Sequence, residues 1–266
     1  MALDIVFIGV SGAFPNAGEE TACYAVNGNI LIDTGWNAAV NMRSVDVVPT
    51  DIDHIFITHC HQDHTLGLPG VFFANRGRAQ ARPDAPVLQL YGTRDLGAVR
   101  DAACALLQSE RDPQCVPEHE LHRVYPGDSL DVGKVRVDVG RSFHPLDARC
   151  YRLTDTVTGA SVVFSGDSAY HDGLPLFARD CDVLIHEAAG GVQAEVADLQ
   201  RYLHSRPQDA ARVAKEAGAS TLALVHYARS AGPEILAKAK EIFPNTRLAK
   251  KGQRLQVLGP GQAVWI

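Results

Sequence analysis

The sequence predicts an α/β fold, and three observations carry that prediction. Short apolar runs of strand length alternate with stretches of helical periodicity along all 266 residues. No Ser/Pro-rich linker or charge block interrupts the alternation, so a single domain over residues 1–266 is expected. Apolar residues make up 46% of the chain and charged residues 21%, which is enough for a buried core and excludes disordered and fibrous classes.

Leu3 to Ile8, Ala22 to Val26 and Ile30 to Asp33 read as strands, the last two joined at the hairpin signal Asn27-Gly28-Asn29. Ile55 to Thr58 is a further buried strand. A helix over Leu68 to Asn75, a strand over Val87 to Tyr91 and a helix over Asp95 to Gln108 follow. Arg76 to Pro86 reads as an exposed loop, because Arg76, Arg78 and Arg82 lie there with Pro83 and Pro86. Those arginines suit either a solvated surface or an anionic substrate tail.

In the second half, strands are expected at Val135 to Val139, Cys150 to Leu153, Ser161 to Ser165, Val183 to His186 and Thr221 to His226. Ser205 and Gln208 have the spacing of a capping box, with Pro207 in the first turn. Ala210, Val213, Ala214 and Ala217 then share one helix face until Gly218 ends it. Gly232-Pro233-Glu234 opens another helix, with Ile235, Leu236, Ala239 and Ile242 on its apolar face.

Charge excludes several partners. The 25 Lys and Arg against 31 Asp and Glu leave a net charge of -6, and the longest basic run is Lys250-Lys251, so broad attraction to nucleic acid or anionic membrane is not encoded. No apolar stretch approaches the roughly 18 to 20 residues of a membrane span. The N-terminal run Ile5 to Ile8 follows Asp4 and lacks the basic flank of a secretion signal. Six scattered cysteines without a C-x-x-C pair suit a reduced, cytoplasmic protein.

The strongest chemical signal is His59-Cys60-His61-Gln62-Asp63-His64, directly after the Ile55 to Thr58 strand. Residues two apart in an extended segment point the same way, so His59 and His61 can grip one ion. The turn into a helix then presents Asp63 and His64 to a second. Imidazole and carboxylate suit Zn2+, with Mn2+, Fe or Co2+ as alternatives. Cys60 is expected to point away, into the core. Ligands in α/β folds collect beyond the carboxyl ends of strands, where His144, Asp167 and His226 stand. They complete two spheres: His59, His61 and His144 on one metal, Asp63, His64 and His226 on the other, with Asp167 bridging.

These residues resemble the metallo-β-lactamase superfamily over essentially the whole chain, and within it the ribonuclease Z group. His59 to Gly70 is similar to that group's H-x-H-x-D-H-x-x-G-L-P-G, Ser165-Gly166-Asp167-Ser168 to its S-G-D-[ST], Leu184 to Ala188 to its L-x-H-E-A, and His204-Ser205 to its H-S. The resemblance implies a four-layer αββα sandwich and a binuclear metal hydrolase acting on phosphodiesters, with homodimerisation as the default. It implies that Asp63 orients the attacking water and takes its proton, and that His204 protonates the leaving alkoxide while Glu187 orients its ring. The plain alternatives are a helix-cap role for His204 and a structural ion pair for Glu187. His186 is expected to pack against the metal layer.

Two departures argue against a long RNA substrate. Only 22 residues separate His144 from Asp167, too few for the protruding tRNA-binding arm common in that group. The glycine-rich loop Gly9 to Pro15 leads to Gly18-Glu19-Glu20, expected to repel a phosphate backbone where the group commonly has an arginine. The leading expectation is therefore an arm-less phosphodiesterase for small diesters. A tRNA 3′ endonuclease, a lactone, ester or β-lactam hydrolase on the same metals, and a non-catalytic binding protein remain the alternatives. The T-P-G-H-T-x-G context of acyl hydrolases is absent around His144. Tyr227 and Arg229 are expected to line the active-site pocket.

Overall fold

The computed structural model describes residues 3–266. Its strands in chain order are β1 (Leu3–Gly9), β2 (Cys23–Val26), β3 (Ile30–Ile32), β4 (His54–Phe56), β5 (Leu88–Gly92), β6 (His119–Arg123), β7 (Ser129–Val132) and β8 (Val135–Arg141). There follow β9 (Arg149–Asp155), β10 (Ser161–Phe164), β11 (Val183–Glu187), β12 (Thr221–Val225), β13 (Thr246–Leu248), β14 (Arg254–Gly259) and β15 (Gln262–Trp265). One sheet runs β15-β14-β1-β2-β3-β4-β5-β6 and the other β13-β12-β11-β10-β9-β8-β7.

Side-chain alternation stacks these sheets into four layers. In β1, Ile5 and Phe7 face the second sheet and pack with Tyr24, Phe56, Tyr151 and Phe164. Val6 and Ile8 point the other way, against Met42, Leu68, Val71 and Phe72 from the helices covering the first sheet. On the far side, Leu184, Leu222 and Leu224 meet Ala210, Val213 and Ala214 of the helix Pro207–Ala217. Central strands buried on both faces read as continuous apolar runs, which is why β1, β10, β11 and β12 were visible in the sequence. This is the expected αββα sandwich.

The expected elements lie within a residue or two of their observed bounds, as with the helix Leu68–Asn75 and the strand Val183–Glu187. Unforeseen are β6, β7, β13, β14 and β15, several of them at sheet edges where polar residues interrupt the apolar pattern. The helix Pro207–Ala217 is capped differently from the expectation. Its N-cap is Arg206, whose backbone N–H donates to Asp209 at 3.1 Å, whereas Ser205 is buried and donates its hydroxyl to the Ser168 carbonyl at 2.6 Å.

The Arg76 to Pro86 segment is not simply an exposed loop. Residues Arg78–Ala81 form a helical turn, and the Arg78 side chain is buried against Asp53 at 2.5 Å, with Arg82 reaching the same carboxylate at 3.0 Å. Arg78 also donates to the Ile52 carbonyl at 3.0 Å, so its guanidinium locks this segment to the loop before β4. Neither Arg78 nor Arg82 is free for an anion. No helix among the described residues is long and apolar enough to cross a membrane, and all six cysteines are unpaired.

Removing Arg78 leaves the buried Asp53 carboxylate with only the partly exposed Arg82 and frees the Ile52 carbonyl. Arg78→Ala is expected to destabilise the protein by about 3 kcal/mol in urea denaturation, while Arg76→Ala stays within about 0.5 kcal/mol. Equal effects would contradict this account.

Candidate metal centre

The site lies on the edge of the sandwich where strands of both sheets end. His59, His61, Asp63 and His64 follow β4, with Asp63 and His64 in the first turn of the helix Gln62–Thr65. The glycine of the motif has a steric reason: Gly67 donates its N–H to the Gly35 carbonyl at 2.7 Å, and a Cβ there would lie 2.1 Å from the Thr34 carbonyl oxygen. His144 follows β8, Asp167 follows β10 and His226 follows β12. Gly166 has a φ of +58°, a left-handed turn that suits glycine immediately before Asp167.

The structure brings all seven expected residues together, in two groups. His59, His61 and His144 form one group, and Asp63, His64, Asp167 and His226 form the other. In the first, His61 Nδ1 lies 3.0 Å from both His59 Nε2 and His144 Nε2. In the second, His226 Nε2 is 2.9 Å from Asp63 Oδ2. Asp167 Oδ2 lies between the groups, 3.8 Å from His59 Nε2, 3.5 Å from His64 Nε2 and 3.6 Å from His226 Nε2. Donor atoms bound at about 2.0 to 2.1 Å to a tetrahedral ion stand roughly 3.3 Å apart, so these separations fit a divalent metal.

Hydrogen bonding points the lone pairs inward. Asp33, which the sequence reading missed, accepts the Thr58 N–H at 2.7 Å and the Thr58 hydroxyl at 2.9 Å. Its Oδ2 also accepts His64 Nδ1–H at 2.8 Å. With its own proton committed to Asp33, the Thr58 hydroxyl accepts His59 Nδ1–H at 3.2 Å. Both rings therefore turn a bare Nε2 into the site, and His64 Nε2 is buried without a hydrogen-bond partner. An acid at the carboxyl end of a short apolar strand, Ile30-Leu31-Ile32-Asp33, was the available signal.

The protonation states of the first group agree with ligand chemistry, whereas in the second group burial is outweighed by Asp167 and its neighbours, which raise His64 and His226. Burial pushes His59 well below the usual histidine range, with His64 adding to the shift, and burial lowers His144 to about 4. Burial also lowers His61. These three rings are neutral near pH 7. Burial works against ionising Asp167, but His226 and His64 outweigh it and hold its carboxyl well below the usual range. His226 carries a φ of +54°, a costly backbone for a non-glycine residue, and its N–H donates to the Val10 carbonyl at 2.7 Å.

His204 and Glu187 stand against the second group. The buried Glu187 Oε1 accepts His204 Nδ1–H at 3.0 Å, Ser205 N–H at 3.0 Å and Ser168 N–H at 3.1 Å, and Oε2 accepts Ala189 N–H at 2.8 Å. Burial alone would lower the His204 pKa, but Glu187, then Asp167 and Asp63, raise it to about 9. His186 is buried and donates Nδ1–H to the Glu187 carbonyl at 2.8 Å, as a packing role requires. Cys60 turns away and packs with the helical side of the first sheet.

Two expectations about the rim are corrected. Glu20 is buried and accepts N–H groups of Thr21, Trp36 and Asn37 at 2.9, 2.7 and 2.9 Å, so it anchors the chain after β3 and leaves Glu19 as the one partly exposed carboxylate of that pair. Tyr227 is likewise buried, donating to the Ala249 carbonyl at 2.8 Å, and the exposed Arg229 faces Glu19 at 3.7 Å. Both line a neighbouring cavity instead.

A two-sheet sandwich with helices outside and a histidine-aspartate cluster at its strand ends defines a metal-dependent hydrolase of the metallo-β-lactamase type. The chain belongs to that superfamily: residues 28–227 match the β-lactamase superfamily domain. It is 27% identical to ribonuclease Z of Bacillus subtilis over 92% of this chain and 95% of that protein. A probable metallo-hydrolase of the same organism, YhfI, is 28% identical over 94% and 98% of the two chains. The crystal structure of YhfI superposes with a TM-score of 0.80 at 24% identity, covering 96% of this chain and all of that one. Human tRNase Z, short form, superposes with a TM-score of 0.76 at 22% identity, covering 96% and 99%. The chain is thus a metal-dependent hydrolase resembling ribonuclease Z.

Loss of an outer hydrogen-bond partner typically weakens metal binding by about 10- to 100-fold. Asp33→Ala is expected to do so here in a chelator competition assay; retention equal to that of the unaltered protein would remove Asp33 from this role.

Proposed function

We propose that the chain is a binuclear phosphodiesterase for small diesters, carried by one domain spanning the whole sequence. The observation that supports this most is the pairing of two donor groups joined at Asp167 with a separate histidine acid, His204, already charged by Glu187. We assign His59, His61 and His144 to one ion and Asp63, His64 and His226 to the other, with Asp167 between them and Zn2+ as the metal. Bound ions of this kind supply Lewis acidity and lower the pKa of a shared water towards about 7.

The protein's own groups do the rest. Asp63, whose Oδ2 lies 2.9 Å from His226 Nε2 within the second donor group, orients the water and accepts its proton. His204 commits Nδ1–H to Glu187, which leaves Nε2 to donate a proton to the leaving alkoxide. Ser205 keeps that ring in place, since its N–H is tied to Glu187 and its hydroxyl to Ser168. Ribonuclease Z among the relatives favours phosphodiester chemistry over acyl transfer. The 22 residues from 145 to 166 contain β9, β10 and the turn joining them, which leaves no room for an RNA-holding arm and favours small diesters.

Metal analysis paired with initial rates on bis(p-nitrophenyl) phosphate, a phosphomonoester, a lactone and a β-lactam tests the reading. About two equivalents of metal and a preference for the diester, lost in His61→Ala, are expected. Preference for an acyl substrate would overturn it, and cleavage of a precursor tRNA with small diesters untouched would make the chain an endonuclease.

His204→Ala is expected to lower diester kcat by about 10²- to 10⁴-fold with metal content unchanged. Because His204 must be protonated to act, activity is full below its raised pKa and falls as pH rises through about 9. Glu187→Gln removes the leading charge that raises it, so the alkaline limb moves to lower pH. An unmoved limb would separate Glu187 from proton transfer.

A further inference from the structure

Beside the metal layer lies a cavity of about 910 Å3 that no part of the proposed reaction uses. It sits where β13, the edge of one sheet, meets the β14 and β15 end of the other. Val10, Ser11 and Tyr227 form its inner wall, and these same segments hold His226: Val10 accepts the His226 N–H, and Ser11 bridges to Tyr227.

Its lining has two characters. Pro233, Leu236, Leu248 and Trp265 give an apolar wall, with the Trp265 ring stacked on Phe7 at 5.5 Å. Arg229, Lys240, Arg247, Lys250 and Lys251 give a cationic rim. Against these five cations stand two carboxylates, Glu19 and Glu20, and Glu20 is spent on buried N–H groups. Lys251 is tied to the Gly18 carbonyl at 3.0 Å, and Arg229 faces Glu19. Among the described residues, Lys240, Arg247 and Lys250 have no carboxylate within 4 Å. An excess of three positive charges around one concavity is an outlier on a protein of net charge -6. Unpaired cations at a concave surface focus potential and draw anions.

From this we infer that the cavity is a second ligand site, distinct from the metal centre, for an organic diphosphate of mononucleotide size. Volume, charge and lining each set one feature of the ligand. Small-molecule sites span about 300 to 1,000 Å3, so this one admits a ligand the size of a nucleotide. A phosphate carries about 1.5 to 2 negative charges at neutral pH, so two phosphates match the excess of three. The phosphates meet Lys240, Arg247 and Lys250, and the ring of the ligand lies on Trp265, Leu236 and Leu248. The Arg247 guanidinium, 5.7 Å from the Trp265 ring centre, stands between the two regions and can touch both halves of such a ligand.

The probe is α,β-methylene adenosine diphosphate, which resists hydrolysis, titrated into the metal-loaded protein by calorimetry and by tryptophan fluorescence. One-to-one binding with a change in Trp265 emission is expected, with adenosine alone and inorganic phosphate alone each at least tenfold weaker. The double variant Arg247→Glu with Lys250→Glu changes only exposed side chains and should weaken binding at least tenfold. Leu236→Trp, which fills the apolar end, should do the same, while Asp63→Ala should leave binding intact. Undiminished binding in both cavity variants, adenosine binding as tightly as the diphosphate, or loss of binding in Asp63→Ala would overturn the proposal. The last result would place the probe on the metal centre.

Discussion

A single buried carboxylate, Asp33, sets the direction of the metal centre. It receives one proton from His64 directly and one from Thr58, which in turn takes the proton of His59. Two imidazoles from the same loop are thereby fixed in the tautomer that leaves Nε2 bare. Without that arrangement the rings would be free to turn and to hydrogen-bond with each other, and the H-x-H-x-D-H loop would be a polar cluster without a direction. The cost is visible in the backbone, because Asp33 takes a φ of +56° to aim its side chain beneath the loop.

The remaining groups reach the same place from far along the chain. Thr58 donates its N–H across 25 residues to Asp33, while Tyr151 of the second sheet donates its hydroxyl to the Ile57 carbonyl at 2.7 Å. The second contact joins the two sheets directly beneath the histidine loop. Packing of Phe56 on Tyr151 at 5.3 Å adds to the same junction. The geometry of the site therefore depends on how the sheets are stacked, and the interior between them is as much a part of the centre as the ligands are. On the His204 side, Glu187 plays a role parallel to Asp33, with three backbone N–H groups fixing its carboxylate at the end of β11.

Much of this was legible in the sequence where the determinants are local. The histidine loop follows a buried strand within a few residues, and β10, β11 and β12 are apolar enough to mark where Asp167, Glu187 and His226 must emerge. Determinants that depend on distant partners were not legible. Asp33 looks like the end of a hairpin strand until Thr58 and His64 are placed over it. Glu20 reads as a surface charge because nothing nearby in sequence hints that it receives the N–H groups of Trp36 and Asn37. Arg78 reads as a solvated or anion-binding cation, since Asp53 lies 25 residues before it. The strands β14 and β15 alternate polar and apolar residues at a sheet end, a weak pattern that only pairing with β1 resolves.

The central claim is that seven side chains form two adjoining metal sites sharing Asp167. Anomalous diffraction at the zinc absorption edge from crystals of the zinc-loaded protein tests it most directly. The account predicts two peaks roughly 3.5 to 4 Å apart, one within bonding distance of His59, His61 and His144 and one of Asp63, His64 and His226, with Asp167 between. A single peak, or two peaks away from these residues, would contradict it.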